Sequence, residues 1–102
     1  MAMSLGIWAE RTVPDGALYR WEGDQGQSGR GFALFNAAAQ TIRPADPDGG
    51  VSGSFLVNGA TGEVSGSSDG LDRATFMQVA GAILKAYAKS GEVPRTAHAF
   101  FG

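Results

Sequence analysis

Residues 68–102, SDGLDRATFMQVAGAILKAYAKSGEVPRTAHAFFG, carry in one run a capped amphipathic helix, a glycine stop, a proline and a short closing strand. Asp72 is the N-cap candidate, because its carboxylate can accept a hydrogen bond from a free N–H of the first turn. Leu71 then falls at N′ and Phe76 at N4, the spacing of a hydrophobic staple. Phe76, Val79, Ala80, Ile83, Leu84 and Tyr87 recur at i, i+3, i+4, i+7, i+8 and i+11, one continuous apolar stripe. Lys85 and Lys89 lie off that stripe and suit the C-terminal end of the helix dipole. Gly91 reads as the glycine that ends the helix, and Pro94 as a stop. Thr96 to Phe101 then returns as a strand, with Ala97 and Ala99 opposing His98 and Phe100. A helix of this length spans about 25 Å, enough to cover a sheet of about four or five strands.

Upstream of that run the periodicity is that of strands. Leu5 to Ala9 reads as a short edge strand. Pro14-Asp15-Gly16 is a turn, with proline presetting φ. Ala17 to Glu22 alternates, so that Tyr19 and Trp21 share one face while Leu18, Arg20 and Glu22 share the other. Gly23 to Gly31 holds no large apolar side chain and reads as a long hairpin connection. Phe32 to Asn36 and Thr41 to Arg43 are strands, with Ala37-Ala38-Ala39 between them too short to nucleate a helix alone. PADPDGG, residues 44–50, is a loop. Val51 to Val57 is a strand, Asn58-Gly59 a hairpin signal, and Glu63 to Ser65 a short polar edge strand. Strands, then a helix, then a strand give an α+β class. The expected architecture is a mostly antiparallel sheet of about five or six strands packed against one C-terminal amphipathic helix, in a single domain spanning residues 1–102.

Composition narrows the function classes. Hydrophobic content of 43% with 18% charged residues fits a globular core rather than a disordered chain. With no cysteine, disulfides and thiolate metal sites are excluded. The opening MAMSLGIWAE has neither the basic nor the long apolar region of a secretory signal. The longest apolar run, the six residues Val79 to Leu84, is too short for a bilayer. A cytoplasmic protein with no membrane contact is the expectation. Residues 1–70 hold eight acids against four arginines, while residues 71–102 hold two acids against four bases, leaving the whole chain at −2. Nucleic-acid binders present a basic face. The acidic excess here favours a basic protein partner over direct contact with nucleic acid.

Each candidate for chemistry has a simpler reading. Gly66-Ser67-Ser68-Asp69-Gly70 matches the G-x-S-x-G elbow, and Ser68, Asp72 and His98 follow hydrolase order, but the strand before the elbow is polar and short. The Gly23–Gly31 loop lacks the Lys-Ser/Thr ending of a phosphate-binding loop. His98, the single histidine, has no cysteine to share a zinc site with. Asp46 and Asp48 lack the bidentate Glu of a calcium loop, since Val57 stands twelfth from Asp46. No catalytic, cofactor or metal residue is assigned on this basis. Most of Trp8, Tyr19, Trp21, Phe32, Phe35 and Phe55 belong in a core, and one or two left exposed would serve as interface anchors.

The segment DRATFMQVAGAILKAYAKSGEVPRTAHAFF, with Ser90-Gly91-Glu92-Val93-Pro94 as its turn and Thr96 to Phe101 as its last strand, resembles the end of a family of bacterial polymorphic-toxin immunity proteins. GRGFALF and SFLVNGATGEV are similar to that family's central antiparallel strands. The resemblance implies a cytoplasmic protein without catalytic residues. It would bind one cognate toxin, commonly a nuclease or nucleic-acid deaminase, and occlude the toxin's active site. A basic toxin cleft would meet the acidic half of this chain, with Glu22, Asp24, Asp46 and Asp48 and an exposed Trp21 as the expected contacts. Two alternatives stand beside it. One is a small-ligand-binding or hydrolase-like domain with a pocket near Ser68 and His98. The other is a phage or accessory protein that acts by assembly, which an extensive exposed apolar face would favour.

Overall fold

A computed structural model describes the chain except residues 1, 2, 24–28, 68, 69, 71 and 102, and except the side chains of residues 3, 4 and 98–101. The strands are β1 (Met3–Val13), β2 (Gly16–Gly23), β3 (Arg30–Asn36), β4 (Thr41–Ala45), β5 (Leu56–Asn58) and β6 (Val64–Ser65), followed by helix α1 (Arg73–Ser90) and strand β7 (Thr96–Phe101). They form one antiparallel sheet in the order β6-β5-β4-β3-β2-β1-β7. The class is α+β as expected, with seven strands rather than five or six. The first six form a meander in which each strand pairs with its neighbour in sequence. The chain then leaves the β6 edge, runs along α1 and adds β7 beside β1 at the opposite edge. Eighteen helical residues rise about 27 Å, close to the roughly 29 Å of six strand spacings, so α1 is long enough to make that crossing.

The helix forms where its stripe predicts. Phe76, Val79, Ala80 and Ile83 are fully buried, and Leu84 and Tyr87 pack at the margin of the core. Phe76 meets Phe55 edge-on at 5.7 Å between ring centroids, and Tyr87 meets Phe35 at 5.3 Å. Asp72 caps the helix by accepting from the Thr75 N–H at 3.1 Å and from the Thr75 hydroxyl at 2.8 Å. These bonds hold its carboxyl below the usual carboxylate range. Gly91 ends the helix at φ 75°, a left-handed value that a side chain would strain, and its N–H returns to the Tyr87 carbonyl. The Leu71 half of the expected staple lies outside the described residues. The Tyr19 hydroxyl donates to the Pro94 carbonyl and ties the post-helix turn to the sheet. Burial pushes the Tyr19 phenol well above its ordinary range.

Three strand assignments change. The segment expected as an edge strand over Leu5–Ala9 is the longer β1, and it lies inside the sheet because β7 pairs with its far side. Its register against β2 shifts between Ala9 and Arg11, which leaves Glu10 as a bulge residue. Pro44 and Ala45, read as loop, belong to β4. Proline is tolerated there because β5 pairs only with Thr41 and Ile42, and beyond them Pro44 is asked only to accept, its carbonyl taking the Ser52 N–H at 2.9 Å. The strand expected over Val51–Val57 is confined to Leu56–Asn58. Gly53 turns the backbone to φ 75°, and Val51 makes only an isolated bridge to Ala45. At Asn58-Gly59 the turn is longer than two residues. The Asn58 side-chain oxygen accepts from the Ala60 and Thr61 N–H groups.

Candidate functional site

Strand alternation gives the sheet two unlike faces. Leu5, Ile7, Tyr19, Trp21, Ala33, Phe35, Ile42 and Val57 lie in the core that α1 covers. The cross-strand register puts the remaining alternate positions on the other face in rows. One row runs Trp8, Arg20, Phe32, Ala45, and the next runs Arg11, Leu18, Leu34, Arg43. No regular element covers this second face among the described residues.

Trp8 dominates the first row. Its indole lies across its own strand over Gly6, where an added Cβ would come within 2.4 Å of the ring. The Arg20 guanidinium stacks on the indole with its carbon 4.4 Å from the ring centroid. Arg20 is then fixed from two sides, by Glu10 at 2.7 Å and by Glu22 at 2.8 Å. The bulge at Glu10 brings the Glu10 carboxylate to this cluster. Half-buried Phe32 pairs opposite Arg20 on the next strand.

A loop shields the second row. After β4 the chain folds back over the face, and Arg11 donates to the Asp48 carbonyl across it. Asp46 organises the loop from within. Its carboxylate accepts from the N–H groups of Asp48 at 3.0 Å and Gly50 at 2.9 Å, and its own N–H donates to the Gly50 carbonyl at 2.9 Å. Leu18, in the row this loop crosses, is only 1% exposed although it lies opposite the helix-side core. Between the loop and the β1–β2 turn a groove of about 280 Å³ remains, lined by Val13, Pro14, Asp15, Leu34, Asn36 and Gly49. The Nε of Arg43 is buried without a hydrogen-bond partner among the described residues.

The expected contact residues divide on this geometry. Glu22 and the Asp46–Asp48 loop lie on the same face of the sheet, as a shared contact surface requires. Asp24 lies outside the described residues. Trp21 is corrected: it is 7% exposed and on the helix side, its ring against Gly31 of the neighbouring strand. The alternation of Tyr19 with Trp21 was legible, but both rings point inward, so Trp21 is no surface anchor. The tryptophan that does reach the open face is Trp8. Counting outward from the Pro14-Asp15-Gly16 turn would set Trp8 opposite Trp21, and only the bulge at Glu10 brings it opposite Arg20, so the hairpin alone carries no signal for this pair. All four arginines of residues 1–70 also take positions on this face, so its acids do not form a bare negative patch.

Ser68 lies outside the described residues, as does the His98 side chain. The backbone leading to Ser68 leaves from β6, and His98 belongs to β7, at opposite edges of the sheet. No group of three or more His, Cys, Asp or Glu side chains is placed to hold a metal ion among the described residues. No helix among them is long and apolar enough to cross a membrane. Compared with known protein families, curated proteins and solved structures, the chain matches none of them.

Proposed function

We propose that this chain is a non-catalytic immunity protein. It acts in the cytoplasm, binds a cognate toxin or effector through the open face of its sheet, and covers the effector's active site. The observation that carries the reading is the Trp8–Arg20 stack held by Glu10 and Glu22 on the uncovered face. Interface hot spots are enriched in tryptophan and arginine, and side chains already fixed before binding lose less entropy on association. A stack on the uncovered face that two carboxylates hold in place suits a binding role. The groove beside Leu34 has room for one apolar side chain from the partner. Exposed Asp46 and Asp48 border the same face and suit the basic rim of a cleft that handles nucleic acid. The likeness of residues 72–101 to immunity proteins supplies the class of partner.

The test starts from the gene's neighbourhood, where a secreted toxin with a C-terminal effector domain is the expected adjoining product. Purified effector domain, titrated with this chain, should form a stable complex and lose its activity at stoichiometric addition. An effector that stays active in excess of this chain contradicts the proposal.

A further inference from the structure

The two edges of the sheet are finished differently. β6 is two residues long and is followed by Gly66 at φ 77°, which makes it too short to template another strand. β7 runs for six residues, and its sequence TAHAFF holds no proline, lysine, arginine or acid. The usual devices that blunt an edge strand are missing from it. The hydrogen-bond phase shows which backbone groups are free. The Ala9 N–H donates to the Arg95 carbonyl at 2.8 Å, extending the register in which Ile7 faces Ala97 and Leu5 faces Ala99. Bonded and non-bonded pairs alternate in an antiparallel ladder. Ala97, Ala99 and Phe101 therefore turn their N–H and C=O groups toward β1, while Thr96, His98 and Phe100 turn theirs outward. Among the described residues no backbone group bonds to that outward row.

We propose that β7 is a homodimer seam, at which a second copy of this chain adds its own β7 about a two-fold axis at His98. Thr96 of each copy then pairs with Phe100 of the other, and His98 pairs with its counterpart. An alternating row of donors and acceptors on an antiparallel edge is its own complement under two-fold symmetry, so no separate partner sequence is required. The axis stands perpendicular to the sheet. It sets both helices on one side and both Trp8–Arg20 faces on the other, so the dimer presents two binding faces in the same direction.

The experiment is light scattering over a concentration series, comparing the unaltered chain with His98→Pro. Proline removes the central outward donor and leaves the β1-facing bonds of Ala97 and Ala99 in place, and the preceding Ala97 is already extended. The unaltered chain should approach the mass of two chains as concentration rises, and the variant should stay at one. Residue-resolved hydrogen exchange on the unaltered chain guards against a variant that misfolds. The Thr96, His98 and Phe100 amides should exchange at least about tenfold more slowly in the concentrated sample, with Ala97 and Ala99 unchanged. A single-chain mass at every concentration, or a dimer whose outward amides stay unprotected, overturns the proposal.

Discussion

The helix-side face of the sheet and the face opposite it bury their side chains by different means. On the helix side, Phe76, Val79, Ala80 and Ile83 interlock with the strand residues and exclude solvent through contact between apolar surfaces. On the other side Leu18 is just as inaccessible, but its row is crossed by a loop that Asp46 and Arg11 hold in place through a few hydrogen bonds. Burial under a regular element is distributed over many contacts. Burial under a loop depends on a few polar ones, and a partner can replace it. The difference places most of the packed core on one face, and the proposed binding role falls to the other.

The largest break is expected on the helix side. Phe76→Ala removes the ring that meets Phe55 and opens a cavity in a packed core, at a cost of about 3–5 kcal/mol in urea unfolding. A smaller loss is expected under the loop. Leu18→Ala should cost about 2 kcal/mol, the lower end for a buried leucine, because a loop can settle into the space more readily than a helix can. Asp46→Ala should cost about 1 kcal/mol and make residues 46–50 the first site of limited proteolysis. If Leu18→Ala were as costly as Phe76→Ala, the two faces would be equivalent cores.

The smallest effect concerns the helix start. The Asp72 carboxyl is held low by the Thr75 N–H and hydroxyl, so it binds a proton less readily in the folded chain than in the unfolded one. Its contribution is complete above the unfolded value of about 3.9 and is lost as pH falls through the lower folded value. Asp72→Asn should flatten that acid limb of the melting temperature. An unchanged limb would place the pH dependence elsewhere.

Much of the fold was legible because its signals are local. The stripe from Phe76 to Tyr87, the Asp72 cap and the Gly91 stop each need only neighbouring residues, and all three stand as read. The Leu5–Ala9 strand was misplaced because its second neighbour, β7, is the last strand of the chain. Trp21 was placed outward for a related reason. Alternation groups residues by face, but only the crossing of α1 decides which face is inside. The open face assembles Trp8, Arg20, Glu10 and Phe32 from three strands and a bulge, and no single stretch of sequence carries that pattern.

The account rests on the open face being the surface that meets the partner. Its most direct test is calorimetric titration of Trp8→Ala with the effector domain proposed as its partner, once a pull-down has identified one. The prediction is a loss of about 30-fold or more in affinity, the scale of an interface hot spot, with melting temperature nearly unchanged. Binding as tight as that of the unaltered chain would contradict it.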